Sequence, residues 1–469
     1  MCTLIMKFGG TSVADASAIS QVAGILQTQA AGDNRIVAVV SAMGGITDAL
    51  TRGVRAAVSG DKSVCRCSAG EILSRTREAA HELIASEADR SAVLAVAEDA
   101  MASYLAVCES VHVLSEATPR VLDRATSYGE PLVASILAAH LRSIGVAAQT
   151  MNPEDIIVTD DMFQKATPLI DETRLRCARH LAPLLREGVI PVIGGFIGAT
   201  SAGVPTTLGR GGSDFTAAIL GQALDADGVW IWTDVDGVMS ADPRLVPAAR
   251  VIPVLSYVEV GELAYFGAAV LHPRTIRPLI DERIPLWIKN TFRPEIEGTR
   301  VEPESNPVPG TLKAVTDVRD LSLLTVEGRG MLGIPGIAAR TFEAVARCEA
   351  NVLMISQASS EQSICFVIPG GDAECVCSGL EEEFALEIAR GEIDRVGGHD
   401  GVGIVTALGS GMQLGVAGVG SRLFAALDRQ DVNIIAIAQG SSECSVSIVV
   451  VEQDVERAVL AIHEEVIRQ

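Results

Sequence analysis

The chain has 469 residues, which is too long for a single hydrophobic core and predicts two or three domains. Hydrophobic residues make up 48% of it and aromatic residues only 4%, which is typical of a globular protein rich in aliphatic side chains. The formal net charge of −22 argues against nucleic acid or an anionic membrane as a partner, because both would repel the protein. An anionic substrate therefore needs a locally basic site.

The sequence contains no pattern typical of targeting or membrane insertion. The N-terminus lacks a charged region followed by an apolar one, and no apolar run approaches the ~18 residues that would indicate a membrane span. We therefore expect a cytoplasmic protein.

Ten cysteines are present, and they include two Cys-x-Cys pairs, Cys65 with Cys67 and Cys375 with Cys377. Neither pair has the CxxC spacing of zinc sites or a nearby histidine to complete such a site. We expect reduced structural thiols and no metal bound by the protein itself.

The N-terminal segment has the composition of a phosphate-binding turn. A predicted strand, Thr3–Phe8, runs into Gly9 and Gly10 and then into a stretch that favours a helix. Adjacent glycines let main-chain N–H groups close on an anion, the following helix adds donors, and Lys7 adds a positive charge. The string is not a Walker A motif, and a tight turn with a surface lysine is the alternative interpretation.

Short β-rich runs alternate with helical stretches through the first ~290 residues, which predicts an α/β sheet with helices on both faces. Several of the predicted strands end at glycines or short polar residues. Because open α/β sheets bind ligands at the carboxyl ends of their strands, we expect these ends to line one site. The further predicted strands are Ile36–Ser41, Ala147–Met151, Val189–Ile193, Gly228–Thr233 and Pro285–Lys289.

The second part of the chain contains an internal repeat. It follows a segment rich in Pro, Glu, Asn and Gly, which predicts a linker. The stretch from Gly336 matches that from Gly418, and the stretch from Asn351 matches that from Asn433, always 82 residues apart. Each copy is too small to bury much core unless the copies pair. We predict a paired regulatory or assembly module; two structural domains without a ligand are the alternative.

The first copy also contains Gly328-Arg-Gly-Met-Leu-Gly333, which fits the GxGxxG pattern of dinucleotide sites. Such a site needs an acidic residue at the end of the next strand, and that strand ends at Gln357. The second copy breaks the glycine spacing. We therefore do not expect a nucleotide there.

Four groups of residues, taken in order, resemble the motifs of the aspartate kinases. They are Lys7-Phe-Gly-Gly-Thr-Ser12, Leu208-Gly-Arg-Gly-Gly-Ser-Asp214, Trp232-Thr-Asp-Val-Asp-Gly237 with Ala241-Asp-Pro-Arg244, and Tyr265-Phe-Gly267 with Val270-Leu-His-Pro-Arg274. The resemblance covers essentially the whole chain. The repeats resemble the ACT domains of bifunctional aspartate kinase/homoserine dehydrogenases more than those of lysine-sensitive single-function enzymes. Because the sequence ends at Gln469, we expect a single-function enzyme.

The resemblance implies a fold and a division into domains. The fold is an α/β, three-layer α/β/α sandwich of the amino-acid-kinase type with a mainly parallel sheet, followed by two ACT-like α+β domains of βαββαβ topology. We predict the catalytic domain at residues 1–295, a linker at 296–317, the first ACT-like domain at 318–400 and the second at 401–469.

The resemblance also implies a reaction, the transfer of the γ-phosphoryl group of ATP to the side-chain carboxylate of L-aspartate. The product, 4-phospho-L-aspartate, begins lysine, threonine and methionine biosynthesis in the family. A carboxylate with a pKa of about 4 is already ionised at pH 7, so the acceptor needs no general base. It needs positioning and neutralised charge, which Lys7 and Mg²⁺ carried by ATP would supply.

Matching motif positions give individual residues their expected roles. Lys7 and Asp214 are the expected catalytic residues, and Lys7, Gly9 and Gly10 are expected to contact the phosphates. Glu130 matches the glutamate that holds the α-ammonium of aspartate, and Arg210 can bind its α-carboxylate through two hydrogen bonds. The other expected substrate contacts are Ser41, Thr47 and Ser213, and the expected nucleotide contacts are Thr233, Asp234 and Arg244.

Two positions depart from the family pattern. Where most aspartate kinases have a lysine that reaches the nucleotide this chain has Ala269, and where they have a tyrosine it has Met239. The missing lysine removes a charge worth ~1.5 to 3 kcal/mol from the phosphate site. We expect weaker ATP binding, or a contact rebuilt around Lys289 or Lys313.

Gln357 and Gln439 occupy the same position in the two repeats, and matching glutamines bind threonine in the bifunctional relatives. An amide both donates and accepts hydrogen bonds, which suits a small amino acid. We expect inhibition by threonine, with lysine second, through a homodimer formed by the repeats. Two other functions stay open: another amino-acid kinase acting on glutamate or an N-acetylated relative, and an amino-acid sensor with a weakened kinase domain.

Overall fold

A computed structural model of the chain describes residues 2–265, 271, 273–304, 308, 310–331, 335–357, 362–414, 418–440 and 444–467. Ala269 lies outside the described residues. The chain forms two compact units. The first consists of Met1–Val238, Val251–Tyr257 and Val270–Glu304, and the second of Met239–Arg250, Val258–Ala269 and Ser305–Gln469.

The first unit is built around an eight-stranded sheet. Its order is β3-β5-β2-β1-β8-β10-β11-β9, and every neighbouring pair is parallel except β10 and β11. Three short strands, β4, β6 and β7, form a separate sheet. The strands are β1 (Thr3–Phe8), β2 (Arg35–Val40), β3 (Ala148–Met151), β4 (Val158–Thr159), β5 (Ile190–Gly194), β6 (Ile197–Thr200), β7 (Pro205–Thr207), β8 (Gly228–Thr233), β9 (Val254–Ser256), β10 (Leu286–Asn290) and β11 (Thr299–Glu302).

Helices pack on this sheet, and several begin where a polar side chain caps the first turn. Asp15, Asp61, Ser86 and Thr118 each accept a main-chain N–H at the start of a helix. The helices of this unit are α1 (Ala16–Ala31), α2 (Ile46–Val58), α3 (Lys62–Leu83), α4 (Glu87–Leu114), α5 (Pro119–Thr126), α6 (Gly129–Ser143), α7 (Ile170–His180), α8 (Ala182–Arg186), α9 (Gly212–Ala223) and α11 (Pro273–Asp281). Helix α10 (Tyr257–Tyr265) lies between α9 and α11 in the chain and belongs to the second unit from Val258 onward.

Alternation along β1 assigns its side chains to the two faces of the sheet. Leu4, Met6 and Phe8 belong to the apolar core that includes residues of α1 and α6. Lys7 therefore points to the opposite face, where α9 packs against β1. This is the three-layer arrangement with a mainly parallel sheet that the sequence predicts.

By length and composition alone, α4 is long and apolar enough to cross a membrane. Its buried residues recur every three or four positions, which is the pattern of an amphipathic helix in a core. The helix packs against α2, α3 and α6 of the first unit. Packing within this unit therefore accounts for one face of the helix, whereas Val96, Val113 and Leu114 are exposed.

The second unit contains a six-stranded sheet in the order β13-β14-β12-β15-β17-β16. The strands are β12 (Ala314–Glu327), β13 (Met354–Gln357), β14 (Ser363–Pro369), β15 (Arg395–Leu408), β16 (Ala436–Gln439) and β17 (Ser445–Val451). The helices are α12 (Ile337–Arg347), α13 (Ala373–Glu383), α14 (Ala385–Ala389), α15 (Val419–Asp428) and α16 (Val455–Ile462).

The two repeats share their long strands. Residues 321–327 of β12 pair with β14 in the first repeat, whereas residues 314–318 pair with the half of β15 that also pairs with β17. Residues 314–318 thus add a strand to the second repeat, and four of these five residues, 314–317, lie within the range 296–317 predicted as a linker. Strand β11 also lies within the range 296–317. It was not predicted, because four residues are too few to show a clear alternation of apolar and polar side chains.

Two sequence patterns in the second unit have structural explanations. Cys348 and Cys375 form a disulfide between the end of α12 and the start of α13, whereas reduced thiols were expected. Nothing in the spacing of these cysteines indicates the pairing, which depends on the tertiary fold.

Gly328 and Gly330 of the GxGxxG string lie against the main chain of Glu392, and a Cβ would come within 2.4 and 2.5 Å of it. Close packing therefore accounts for both glycines without a nucleotide.

Candidate functional site

Four neighbouring strands, β5, β2, β1 and β8, end side by side at one edge of the sheet. Main-chain hydrogen bonds continue past their ends. The N–H groups of Gly9, Ser41 and Gly195 donate to the last or next-to-last residues of neighbouring strands at 3.1, 3.1 and 2.9 Å. The loops that follow these strands are thereby held next to one another, at the edge where an open α/β sheet binds its ligand.

Two helices begin at this edge after glycines with left-handed backbone. Gly45 precedes α2 with a φ of 83°, and Gly211 precedes α9 with a φ of 71°. Side chains rarely tolerate this conformation, which explains glycine at both positions. The first N–H of each helix, that of Ile46 and of Gly212, donates to the preceding turn. The N–H groups that follow in the first turn have no partner within the helix and can face an anion.

The strand ends and helix starts enclose a cleft of about 510 Å³. Eight of the residues predicted from the sequence line it: Lys7, Gly10, Ser41, Thr47, Glu130, Arg210, Ser213 and Asp214. The cleft has the size of a small-molecule site. It therefore brings most of the predicted catalytic and substrate contacts together.

A close ion pair lies in this cleft. The Nζ atom of Lys7 is 2.6 Å from Oδ1 of Asp214, and both side chains are largely withdrawn from water. Asp214 lies in the first turn of α9, on the face of the sheet toward which Lys7 points. Removing either partner would leave a charge that is desolvated and unpaired.

Glu130 is buried in the first turn of α6. The hydroxyl of Ser213 donates to its Oε1 at 2.7 Å, whereas Oε2 is buried and accepts no well-formed hydrogen bond from any described residue. Burial raises the pKa of Glu130 to about 8, although Ser213 and Lys7 act in the opposite direction. The open oxygen has the capacity to accept one further donor.

Two glycines at the end of β5 allow Glu130 and Ser213 to meet. A Cβ on Gly194 would lie 3.0 Å from the Cβ of Glu130, and one on Gly195 would lie 2.6 Å from the Cβ of Ser213. Neither position has room for a side chain. The small residues thus let the first turns of α6 and α9 approach the strand.

The predicted nucleotide contacts do not line the cleft. Thr233 and Asp234 follow β8, where the threonine hydroxyl donates to the Asp234 carboxylate at 3.1 Å. Arg244 belongs to the second unit, and its exposed side chain is paired with Asp242 at 2.6 Å. Its guanidinium is thus already hydrogen-bonded to a carboxylate.

Lys289 and Lys313 were considered as replacements for the lysine that the family has at position 269, and neither of them lines the cleft. Lys289 donates to two main-chain oxygens at 3.3 and 2.9 Å and lies over the ring of Trp232. Lys313 is 2.8 Å from the fully buried carboxylate of Glu259. Both ammonium groups are engaged elsewhere, so the structure does not support a rebuilt ATP contact.

Arg75 and Asp123 form hydrogen bonds to loops at or next to the cleft, and the sequence did not single out either residue. Arg75 on α3 donates to the main-chain oxygens of Gly44 and Ala14 at 2.9 and 3.1 Å. Asp123 on α5 accepts hydrogen bonds from Thr207, three residues before Arg210. Both lie outside the glycine-rich motifs, and their partners are distant in sequence. Only the position of Asp123, about two helical turns before Glu130, offered a signal.

Over the residues that the structure describes, no group of three or more His, Cys, Asp or Glu side chains is arranged to hold a metal ion. A divalent ion at the cleft would therefore take most of its ligands from phosphate oxygens and water.

In the second unit, β13 and β16 are edge strands that end at Gln357 and Gln439. Both glutamines are exposed. The hydroxyl of Ser356 lies 3.4 Å from the main-chain oxygen of Ile437, so the two edges come together. The equivalent positions of the repeats thus lie in one region of this unit.

Comparison with known protein families identifies the class of protein to which the chain belongs. The amino acid kinase family matches residues 3–290, and the ACT domain matches residues 324–384 and 405–466. The chain belongs to the amino acid kinase family. Within that family, its fold and its paired ACT domains are of the aspartokinase type.

The individual proteins that resemble this chain in sequence are also aspartokinases. The chain is 37% identical over 467 residues to bifunctional aspartokinase/homoserine dehydrogenase 2 of Zea mays, covering 98% of this chain and 50% of that protein. It is 31% identical to aspartokinase 1 of Arabidopsis thaliana, covering 98% and 80%. The chain thus spans about half the length of the bifunctional relatives that it matches.

Solved structures of aspartokinases match nearly the whole chain. E. coli aspartokinase III in complex with aspartate and ADP is 32% identical, with a TM-score of 0.78 over 99% of each chain. The complex of the same enzyme with lysine and aspartate gives 31% identity and the same TM-score over 99% of each chain.

Proposed function

We propose that this chain is an aspartate kinase, which transfers the γ-phosphoryl group of ATP to the side-chain carboxylate of L-aspartate. The products are 4-phospho-L-aspartate and ADP, at the start of lysine, threonine and methionine biosynthesis. The observation that carries the proposal is a single cleft in which the Lys7–Asp214 ion pair lies with the Glu130–Ser213 pair and Arg210. The complex of E. coli aspartokinase III with aspartate and ADP supports the choice of ligands.

The acceptor half of the cleft suits a free α-amino acid. The open Oε2 of Glu130 can accept a hydrogen bond from an α-ammonium, and the exposed guanidinium of Arg210 can bind an α-carboxylate. Ser41 and Thr47 add hydroxyl groups on the loop and helix that follow β2. Two ends of the substrate would thus be fixed while its side-chain carboxylate stays free to react.

The phosphate half combines Lys7 and Gly10 with the N-terminal turns of α2 and α9. Gly9 does not line the cleft, and its N–H donates to the main-chain oxygen of Trp232. These groups would offer positive charge and N–H donors to a triphosphate, which develops charge during transfer. Mg²⁺ bound to ATP would neutralise further phosphate charge. Thr233, Asp234 and Arg244 remain the proposed contacts to the rest of the nucleotide.

The reaction needs no proton transfer. An oxygen of the ionised aspartate side chain forms a bond to the γ-phosphorus, and the bond from that phosphorus to the β,γ-bridging oxygen breaks, so that ADP carries away the electron pair. Lys7 can exchange its pairing with Asp214 for the transferring phosphoryl oxygens, which offsets their charge. Catalysis then depends on positioning and electrostatics.

A comparison of acceptors tests the proposal. ADP release from ATP and Mg²⁺ is measured with L-aspartate, L-glutamate, N-acetyl-L-glutamate or no acceptor. We expect release that depends on aspartate and falls strongly in Lys7→Ala. Release with glutamate or its N-acetyl derivative but not with aspartate would favour the other amino-acid kinases and contradict the proposal.

The second unit supports a proposal for regulation. Threonine, with lysine as the second candidate, would bind at the edges that end at Gln357 and Gln439, and a homodimer would form through the repeats. Half-exposed Ile355 and Ile437 on the same strands leave apolar surface that pairing of chains would bury. The complex of E. coli aspartokinase III with lysine supports an amino acid as the effector.

A further inference from the structure

We propose that Asp123 is a positioning residue for aspartate binding, because its carboxylate fixes the loop that carries Arg210. The inference rests on the function proposed above. It adds a residue from α5 to a site otherwise made of glycine-rich loops and helix starts.

The side chain of Asp123 is buried and collects three hydrogen bonds. Its Oδ2 accepts the main-chain N–H groups of Gln164 at 2.9 Å and Thr207 at 3.0 Å, and its Oδ1 accepts the hydroxyl of Thr207 at 2.6 Å. Burial raises the pKa of Asp123, whereas these donors act in the opposite direction. A buried carboxylate with this set of donors has one preferred position.

These contacts clamp two segments that are far apart in sequence. The N–H of Ala166 donates to the main-chain oxygen of Thr207 at 3.0 Å. Gly209 passes so close to Gln164 that a Cβ would lie 2.7 Å from its main-chain oxygen. Residues 164–166 and 207–209 therefore run as a pair, and Asp123 accepts an N–H from each member. Arg210 follows directly and lines the cleft.

Asp123 also belongs to the chain segment that leads to Glu130. Its main-chain oxygen accepts the N–H of Ser127 at 3.0 Å, at the end of α5, and Glu130 follows in the first turn of α6. One residue thus connects the two groups proposed to bind the ends of aspartate. Their separation decides whether the ammonium and carboxylate of one molecule are bound together, so small displacements affect binding of aspartate specifically.

Two substitutions separate positioning from charge. Asp123→Asn can keep all three contacts, because its amide oxygen can accept both N–H groups while its NH₂ donates to the Thr207 hydroxyl. Asp123→Ala removes all three. We expect Asp123→Ala to raise the KM for aspartate about 10- to 100-fold with an unchanged KM for ATP, and Asp123→Asn to stay within about threefold of wild type.

Asp61→Ala is a control for the loss of a carboxylate that accepts hydrogen bonds, with the difference that Asp61 is exposed and Asp123 is buried. Asp61 also accepts a main-chain N–H and a hydroxyl, both from Ser63 at 2.9 and 2.6 Å, but it begins α3 and does not line the cleft. We expect an unchanged KM for aspartate in this variant. If Asp123→Ala does not yield folded protein, Thr207→Val and Thr207→Ser decide, and only the valine variant should raise the KM.

Three results would overturn the inference. An unchanged KM for aspartate in Asp123→Ala would remove the positioning role, and a parallel rise for aspartate and ATP would indicate a general structural effect. Equal losses in the alanine and asparagine variants would assign the effect to charge. Wild-type protein that does not phosphorylate aspartate would instead overturn the proposed function, and this inference with it.

Discussion

At the scale of single residues, Glu130 is the residue that we propose to select the acceptor. It is buried, one of its oxygens is held by Ser213, and the other is open. A free α-ammonium satisfies that oxygen and compensates for the burial of the charge. An N-acetylated amino acid carries no such charge and would leave the carboxylate unpaired. The geometry therefore favours a free amino acid as acceptor.

The first prediction concerns Glu130→Gln, which keeps the shape of the side chain and removes its charge. The KM for aspartate should rise about 10- to 150-fold, as expected for the loss of a hydrogen bond to a charged group worth ~1.5 to 3 kcal/mol, while the KM for ATP is unchanged. Initial-rate kinetics with each substrate varied measures both. Glu154→Gln is the control, because Glu154 is half-buried and pairs with Arg124 instead. An unchanged KM for aspartate would refute the role of Glu130.

The second prediction is a pH dependence that comes from the same residue. Because burial raises the pKa of Glu130 to about 8, kcat/KM for aspartate should rise as the pH approaches that value and then level off. A pH profile of wild type and Glu130→Gln measures this, and the slope should be absent from the variant. The same slope in both proteins would assign it to another group.

The third prediction is the effect of this pKa on stability. The folded pKa of Glu130 is raised above its ordinary 4.5, so the folded chain retains a proton that the unfolded chain releases. The contribution of this group to stability is therefore fully present below about pH 4.5 and is lost as the pH rises toward 8. Urea unfolding of wild type and Glu130→Gln at several pH values between these limits tests the sign. If the free energy of unfolding of wild type increased relative to that of Glu130→Gln as the pH rises, the predicted sign would be wrong.

At the scale of elements, the end of β5 determines how closely α6 and α9 approach each other. Gly195 leaves no room for a Cβ beside Ser213, and Ser213 holds Glu130. A side chain there must push the first turn of α9 away from the strand. That turn also carries Asp214, the partner of Lys7. Both pairs in the cleft therefore depend on one backbone contact.

The fourth prediction follows from this contact. Gly195→Ala should lower kcat/KM for aspartate by at least about tenfold and destabilise the protein by about 1 to 3 kcal/mol, the usual cost of overpacking. Gly70→Ala is the control, because Gly70 lies in α3 with open space around it and its replacement should be neutral or slightly stabilising. Kinetics and urea unfolding measure both effects. Equal behaviour of the two variants would show that the close contact is unimportant.

The elements around the cleft were predictable where the sequence signal is strong. β1 and β8 have the predicted bounds, and the other central strands differ by one residue, because their aliphatic runs end at clear turn residues. The strands β4, β6, β7 and β9 have two to four residues, too few to show alternation. The hydrogen bonds between Asp123 and Thr207 could not be predicted from the sequence either, since the two residues are 84 positions apart.

At the scale of the whole molecule, the kinase and ACT regions share parts of the chain. The segments Met239–Arg250 and Val258–Ala269 lie within the predicted kinase region but group with the repeats, and the chain returns to the first unit after each. Ala241 and Val246 pack in the core of the second repeat, which explains the grouping. Hydrophobic contacts in the tertiary fold determine this division, and motif order alone does not reveal it.

The fifth prediction is inhibition by threonine at subsaturating aspartate. The amides of Gln357 and Gln439 can donate to and accept from a small zwitterion, so Gln357→Ala and Gln439→Ala should weaken the inhibition. A coupling of ~1 to 3 kcal/mol corresponds to a change of about 5- to 150-fold in affinity. Titrations of wild type and both variants with threonine and with lysine measure it. Insensitivity of wild type to both amino acids would refute the regulation, and unchanged inhibition in both variants would exclude these glutamines.

The central claim is most directly tested by trapping the product. Purified protein is incubated with ATP, Mg²⁺, L-aspartate and hydroxylamine, which converts an acyl phosphate to a stable hydroxamate, and mass spectrometry identifies the modified carboxyl group. The account predicts the side-chain hydroxamate of aspartate, formed only with ATP and lost in Lys7→Ala. Absence of any aspartyl hydroxamate, or formation of a hydroxamate only when glutamate replaces aspartate, would contradict it.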